Sequence, residues 1–228
     1  HQRGRDSANR FLDLWSEHGA LAWYGPWLSE LANLRREFAL LIGAEEGEIA
    51  LVPSVSSGLG AISSSLDFSE RNRVVVTELD FPTVAHHFHA MAPRGVETFI
   101  VRSSDRIGVS LADFEEAITD RTALVATSRV YFTSGYIQDV RSLSEICHRH
   151  GALLLVDDYH ATWQLFIDVD TTDVDFLLTG GLKWLLGGPG MAYMYVKREL
   201  IGNLVPTLTG WFGHRDQFEF NPESMVYK

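Results

Sequence analysis

Short apolar segments alternate along the chain with longer stretches in which apolar residues recur at helical spacing. Several short segments, such as VVV and ALLLV, are apolar without alternation, which is typical of strands covered by helices on both faces. Seven segments predict strands, at residues 49–52, 74–77, 98–101, 123–127, 152–156, 176–178 and 191–196. Six stretches predict helices, at residues 7–17, 26–42, 57–66, 82–91, 111–118 and 140–150. This order favours an α/β fold, a doubly wound and mostly parallel seven-stranded sheet with helices on both faces.

Residues 1–206 are predicted to form one domain, because no repeat, low-complexity tract or Pro/Gly/Ser linker interrupts them. The segment 207–228 is aromatic rather than linker-like. The chain starts at His1 rather than Met and ends at Lys228 without an evident stop, so we interpret it as a piece of a longer protein.

The composition of the chain argues against several classes of protein. The chain has 228 residues, 46% of them hydrophobic, and no apolar run approaches the length of a membrane span, so a membrane protein is not expected. A net charge of −11 without a Lys/Arg stripe makes nucleic acid a poor partner. The one cysteine, Cys147, excludes an internal disulfide and is predicted to be a core residue. Without a signal segment, the predicted compartment is the cytoplasm.

Two strand ends carry unusual ionisable residues. In open α/β sheets ligands bind at the carboxyl ends of strands. The segment ALLLV ends in Asp157, Asp158, Tyr159 and His160, and a carboxylate at the tip of a buried strand needs a cationic or donor partner. Lys183 lies in an apolar, glycine-flanked turn, where loss of water lowers the pKa of an amine and favours a nucleophile that forms Schiff bases.

Two further strand ends add weaker signals. Ser56 and Ser57 stand just before a predicted helix, whose first N–H groups can hold a phosphate. Phe81 follows another strand and can offer a flat face to a ring. A phosphate, a flat ring, a cationic ring nitrogen and an aldehyde awaiting an amine together describe pyridoxal 5′-phosphate (PLP), which is the predicted cofactor.

The chain resembles a known family at this point. The segments GALLLVDDYHA and DVDFLLTGGLKWLLGGPGMAYMYVKREL resemble the core of class V aminotransferase-fold PLP enzymes, which have fold type I. Within that superfamily AWYGPW, LIGAEEGEIAL, ELDFPT, YFTSG and GWFGHRDQFEF are similar to kynureninases. The resemblance extends from about residue 11 to residue 220 and implies a PLP-transferase type I large domain.

The resemblance implies three catalytic residues. Lys183 corresponds to the lysine that forms the Schiff base with PLP. Asp157 corresponds to the carboxylate that keeps the pyridine nitrogen protonated. His160 falls at a position that lies close to the phenolic oxygen of the cofactor.

It also implies further cofactor contacts and an assembly. Ser56 and Ser57 match the turn that holds the phosphate, and Phe81 matches the aromatic residue that stacks on the ring. Trp211 matches a tryptophan that reaches a phosphate in kynureninases, from the neighbouring subunit of a homodimer.

The chain departs from the family in several places. Gly181 and Leu182 stand where the family has two phosphate ligands, and Asp158 adds a carboxylate of unexplained purpose. The family also has a segment before His1, and after Lys228 a small C-terminal domain that supplies an arginine for the substrate carboxylate.

Simpler interpretations stay open for these residues. Ser56, Ser57 and Asp157 are also compatible with helix caps, Phe81 with core packing, and His160 and Lys183 with solvated turns. The spacing of His86, His87 and His89 resembles that of metal ligands, but no carboxylate or cysteine completes the set, so no metal site is predicted. Tyr131 and Tyr136 are compatible either with the cofactor site or with packing.

The first functional prediction is a PLP-dependent enzyme acting on a small amino-acid substrate, with kynureninase-like hydrolysis of a Cβ–Cγ bond as its specific form. An aminotransferase, epimerase or lyase of the same fold is the alternative, because the cofactor supplies the electron sink and the pocket selects the bond. A protein of a different class, a degenerate non-catalytic member of the fold, is the third hypothesis.

Overall fold

A computed structural model describes residues 2–227 and contains one seven-stranded sheet. Its strands are β1 (Ile49–Val52), β2 (Arg73–Thr77), β3 (Glu97–Val101), β4 (Thr122–Ser128), β5 (Leu153–Asp157), β6 (Phe176–Gly180) and β7 (Ala192–Val196). Their order is β1-β7-β6-β5-β4-β2-β3; β7 is antiparallel to both neighbours and the other pairs are parallel. The predicted strands and the mostly parallel sheet are confirmed, with strand ends shifted by one or two residues.

The helices are α1 (Gln2–His18), α2 (Pro26–Ile42), α3 (Val55–Ser65), α4 (Pro82–Ala90), α5 (Leu111–Ala117), α6 (Val140–Arg149), α7 (Val169–Thr172) and α8 (Arg198–Ile201). The six predicted helices are all present. Helix α1 begins at Gln2, before the predicted residue 7. The sequence did not indicate this start, because the first turns of the helix are polar and carry no apolar periodicity. Helices α7 and α8 span four residues each and are too short to produce a periodic pattern.

Helices cover both faces of the sheet, which accounts for strands that are apolar on both sides. One core contains Phe38 of α2, Phe114 of α5 and Leu143 of α6, and the other contains Leu59 of α3 and Phe88 of α4. Alternate residues of one strand enter opposite cores because successive side chains of a strand point to opposite faces. In β2, for example, Val75 belongs to the first core, whereas Val74 and Val76 belong to the second.

The reversed strand β7 determines which strand ends meet. Because β7 is antiparallel to both β1 and β6, β1 runs in the same direction as β6. The carboxyl ends of β1, β2, β3, β4, β5 and β6 therefore share one edge of the sheet. Helix α3 starts at this edge and lies close to β6, where a side chain at Gly58 would overlap with Leu178.

The last part of the chain, residues 202–227, has little regular structure. It lies against α3, where the backbone N–H of Thr207 donates to Oγ of Ser64 at 3.2 Å. The ring of Phe212 contacts Trp23, with 5.4 Å between the ring centroids. The division into segments 1–206 and 207–228 stays a prediction. Within residues 2–227, every helix is too short or too polar to cross a bilayer.

Candidate active site

Lys183 lies in a tight turn just beyond β6 and is partly buried. The turn is closed by two backbone bonds, from Leu186 N–H to the Lys183 carbonyl at 3.2 Å and from Gly187 N–H to the Gly181 carbonyl at 2.8 Å. The amine nitrogen Nζ lies 2.5 Å from Nε2 of His160. Burial lowers the pKa of Lys183, although the charge of Asp157 opposes this shift. This loss of water shifts the amine toward its neutral, nucleophilic form.

His160 follows β5 and forms the other half of this pair. Burial lowers its pKa, and the neighbouring charge of Lys183 adds to the shift. Its backbone carbonyl accepts a hydrogen bond from Nε1 of Trp184 at 3.1 Å, which ties the segment after β5 to the turn that carries Lys183. His160 is therefore a positioned partner of the amine rather than a solvated turn residue.

Asp157 is the last residue of β5 and is only 6% exposed. Its Oδ1 accepts a hydrogen bond from the backbone N–H of Tyr159 at 3.0 Å, and Oδ2 accepts none from residues 2–227. Burial raises the pKa of Asp157 to about 7, and the charges of Asp80 and Asp158 add to this effect. The charge of Lys183 partly opposes this shift, but no cationic side chain of residues 2–227 forms an ion pair with the carboxyl group, and a protonated pyridine nitrogen would supply one.

Asp158 does have a cationic partner, Arg129, which lies directly after β4. The guanidinium binds both carboxylate oxygens, at 2.5 Å from Nε and 3.0 Å from Nη2, and both side chains are almost fully buried. Arg129 also donates to the carbonyl of Phe166 at 2.8 Å, and Thr162 donates to Asp158 at 2.5 Å. The pair thus fixes the segment that begins with Asp157 and His160. The sequence analysis missed this role of Arg129, although a charged residue at a strand end was the available signal.

Asp80, the residue before Phe81, links β2 to β4 through hydrogen bonds. Its Oδ2 accepts from the backbone N–H of Thr77 at 2.8 Å, and its Oδ1 accepts from Oγ1 of Thr127 at 3.0 Å and from the N–H of Ser128 at 2.6 Å. Burial raises the pKa of Asp80. This network was also missed, since it depends on the pairing of two strands that are distant in sequence.

Phe81 turns its ring toward the amine. The ring centroid is 6.0 Å from Nζ of Lys183, and the ring packs edge-on against Phe132 at 5.4 Å. Phe81 is 46% exposed, so it is not the core residue that the alternative interpretation required.

The start of α3 is capped by Ser54. Its Oγ accepts a hydrogen bond from the backbone N–H of Ser57 at 3.1 Å and lies 2.9 Å from Oγ of Ser57. The interpretation of Ser56 or Ser57 as the cap is therefore wrong, because the helix begins two residues earlier than predicted. Both are exposed in the first turn, where free N–H groups favour an anion. Their role as phosphate ligands stays a prediction.

Trp211 lies apart from the amine. Its Nε1 donates to the carbonyl of Gln217, and its ring stacks on Phe220 at 5.5 Å. Within residues 2–227 it makes no contact with Lys183, Asp157 or His160, and its role as a cofactor ligand stays a prediction. At the other departure from the family, the Gly181 N–H donates to the Met191 carbonyl at 3.0 Å and closes the turn instead of facing a ligand.

The remaining candidates have structural partners. Nε2 of His87 lies 2.7 Å from Oγ of Ser63, and residues 2–227 contain no cluster that could hold a metal ion. Tyr131 is fully buried and stacks on Tyr136 at 6.1 Å. Cys147 is fully buried, as predicted, and burial raises the pKa of its thiol to about 12.

A large cavity formed by residues 2–227 lies away from this site. It has a volume of about 990 Å³ and is lined mainly by α2, β1, α3, β7 and the segment after α8. Lys183, Asp157 and His160 do not line it. The amine and its partners lie instead at the carboxyl edge of the sheet, among partly exposed side chains.

Comparisons with known proteins agree with this geometry. Residues 27–222 match the family model described as aminotransferase class-V. The chain is 41% identical over 185 residues to the uncharacterized aminotransferase YcbU of Bacillus subtilis (strain 168), covering 81% of this chain and 49% of the relative. It is 30% identical over 203 residues to kynureninase of Pseudomonas fluorescens, covering 86% and 48%. The chain therefore spans about half the length of these curated relatives.

Solved structures show the same fold. C-DES, a cystine C–S lyase solved with glycine covalently linked to its PLP cofactor, superimposes with a TM-score of 0.89 at 20% identity, covering 98% of this chain and 60% of that chain. The apo cysteine desulfurase of Thermococcus onnurineus NA1 superimposes with a TM-score of 0.76 at 24% identity, covering 86% and 49%. The predicted type I fold is confirmed.

Asp157→Asn should stabilise the protein in the absence of PLP, and more at high pH than at low pH. The folded pKa of about 7 lies above the unfolded value, so wild type loses stability as pH rises from about 4 to about 7. The advantage of the variant should grow by on the order of 2 kcal/mol between about pH 5 and about pH 8. Urea unfolding measures it, with Asp13→Asn on exposed α1 as the control. An equal advantage at both pH values contradicts the prediction.

Arg129→Met should lower the free energy of unfolding by about 3–5 kcal/mol, because it leaves the Asp158 carboxylate buried without a counter-charge. Adding Asp158→Asn should recover most of the loss, since the amide keeps the shape and removes the charge. Urea unfolding of both variants tests this. A loss below about 1 kcal/mol in the single variant contradicts the predicted strength of the pair.

Proposed function

The chain belongs to the aminotransferase class-V family of PLP-dependent enzymes, and from this premise we propose that it uses PLP bound covalently to Lys183 to act on an amino acid. The observation that carries the proposal is the amine itself. It is partly buried, its pKa is lowered, and it lies 2.5 Å from an imidazole at the edge where six of the seven strands of residues 2–227 end. A lysine without such a role would gain by moving its charge into water.

The residues around Lys183 fit PLP. Asp157 is a buried residue whose Oδ2 accepts no hydrogen bond from residues 2–227, which suits the nitrogen of a pyridine ring. Phe81 offers a ring face 6.0 Å from the amine. Ser56 and Ser57 lie in the first turn of α3, at the same edge of the sheet, where an anion is favoured. Bound PLP supplies an electron sink for negative charge at the substrate Cα.

The chain's own residues bind or transfer protons and hold the reacting groups in position. With PLP and a substrate bound, the Lys183 amine would be available as the base for the proton of the substrate Cα. His160 lies 2.5 Å from Nζ through its Nε2 and holds the amine in position. Asp157 remains ionised beside a protonated pyridine nitrogen, because that positive charge replaces its missing partner. Arg129 neutralises Asp158 and so keeps a second negative charge from competing for the ring nitrogen.

The specific reaction that we propose first is kynureninase-like. Water adds to the γ-carbonyl of the substrate side chain, the Cβ–Cγ bond breaks, and alanine and an aromatic acid are released. The 30% identity to a kynureninase, together with Phe81 and His160 at the positions described above, supports this choice. Transamination is the second candidate, since the 41% identical relative bears the name of an aminotransferase.

We also propose that the protein is a homodimer. Helix α1 buries none of its residues and exposes Phe11, Leu12 and Trp15. The last segment exposes Leu208 and Phe220. Apolar surface of this extent favours association with a second copy.

Lys183→Ala should abolish the red-shifted absorption band of lysine-bound PLP and the attachment that borohydride traps. Turnover should fall by roughly 10²- to 10⁴-fold, because the variant lacks both the nucleophile and the base. The chain contains three lysines, Lys183, Lys197 and Lys228, so peptide mapping identifies the labelled position directly. Lys197→Ala is the matched control, since Lys197 pairs with Asp173 on the surface. Labelling at Lys197 in wild type, or no label at all, refutes the assignment.

Incubation with kynurenine or 3-hydroxykynurenine should release alanine and the corresponding aromatic acid in equal amounts. Chromatography of both products measures the reaction, and Lys183→Ala supplies the background. Release of a keto acid from other amino acids, with no alanine formed from kynurenine, would replace hydrolysis by transamination. That outcome leaves PLP attachment at Lys183 standing.

A further inference from the structure

Tyr159 is the residue nearest to Lys183 that has no part in the proposed function so far. Its ring centroid lies 4.3 Å from Nζ of Lys183, which is closer than that of Phe81. Its backbone N–H donates to Oδ1 of Asp157, so the residue is fixed relative to that carboxylate. Burial raises the pKa of its hydroxyl, which keeps the ring neutral. A neutral aromatic face therefore lies directly over the amine.

Gly180 provides the space for this ring. It is the last residue of β6, and a Cβ added there would overlap with Cε2, Cζ and the hydroxyl oxygen of Tyr159. The backbone at this position does not have the positive φ angle that would call for glycine. The reason for glycine here is the close approach of the Tyr159 ring to the end of the strand.

Phe81 and Tyr159 both lie near the amine but pack against different neighbours. Both rings lie within 6.0 Å of Nζ, yet they form no ring contact with each other anywhere in residues 2–227. Phe81 packs instead against Phe132, and Tyr159 packs against Gly180. Each ring contacts a neighbour of its own, and a flat group attached to Nζ would lie within reach of both rings.

We propose that Tyr159 is the second aromatic wall of the cofactor site, packing on the face of the PLP pyridine ring opposite to Phe81, and that Gly180 is the glycine that admits it. This inference rests on the proposed function, since it assumes that Lys183 carries PLP. The pyridine ring beside Asp157 is protonated and electron-poor, and such a ring is attracted to the negative faces of aromatic side chains. Two faces also limit its tilt relative to the amine.

The first experiment compares Tyr159→Leu with Tyr159→Phe. Each variant is titrated with PLP and with pyridoxamine 5′-phosphate, which has no aldehyde and cannot bond to Lys183. Binding of both ligands to Tyr159→Leu should be about five- to tenfold weaker, because one stacked ring is lost. Tyr159→Phe keeps the ring face and should restore binding to within about twofold. Circular dichroism and urea unfolding verify that both variants fold.

The second experiment tests the pairing with Gly180. Gly180→Ala should weaken binding of pyridoxamine 5′-phosphate in the wild-type background, because the added methyl group displaces the Tyr159 ring. In a Tyr159→Ala background the same substitution should have little further effect. A purely local effect at the end of β6 would instead appear equally in both backgrounds, so the cycle separates the two explanations.

The results have distinct meanings. If wild type takes up no PLP at Lys183, the proposed function fails first and the inference fails with it. If wild type binds PLP but Tyr159→Leu binds pyridoxamine 5′-phosphate as tightly or more tightly, Tyr159 is not a wall of the site and only the inference is overturned. Equal losses in Tyr159→Leu and Tyr159→Phe assign the effect to the hydroxyl and also overturn it. Weaker binding in Tyr159→Leu with recovery in Tyr159→Phe supports it.

Discussion

The burial of charge at one edge of the sheet is the constraint on which this structure depends. Asp80, Asp157, Asp158 and Arg129 all lie there with 6% exposure or less. Ions removed from water need partners, and the chain supplies them unequally. Asp158 receives a guanidinium and Asp80 receives several hydrogen bonds, whereas Asp157 receives a single N–H. Asp157 is therefore the least compensated of the three carboxyl groups, and its burial favours a cationic ligand beside Lys183.

The fold was largely predictable because local and tertiary signals agree. In β5 the run of leucines is apolar on both faces, and both faces are covered by helices. The continuous apolar run was therefore enough to identify the strand. Strand order was not predictable in this way. Arg129 meets Asp158 only because β4 and β5 are neighbours, with Ser128 opposite Asp157. The pattern of residues along the sequence does not show which strands are neighbours in the sheet.

The candidate site was predicted in part for the same reason. The four main candidates each lie at the end of a strand or shortly after it, and the shared edge of the sheet brings them together. They are Lys183, Asp157, His160 and Phe81. The cap of α3 was misassigned because its identity depends on where the helix starts, and a shift of two residues exchanges Ser54 for Ser56. Tyr159 was named only as one of the residues that follow the segment ALLLV, since its closeness to Gly180 depends on the packing of β5 beside β6.

The antiparallel strand β7 also affects how the chain is made. Strand β1 pairs only with β7 among the strands of residues 2–227, with Ile49 opposite Tyr195, so of these seven strands the one synthesised first pairs with the one synthesised last. Until then β1 is an unpaired edge, and closing so long a loop slows folding. Lys183 emerges shortly before β7, so the reactive amine and the strand that completes the sheet arrive together. A nascent chain therefore spends little of its synthesis with that lysine exposed on an unfinished sheet.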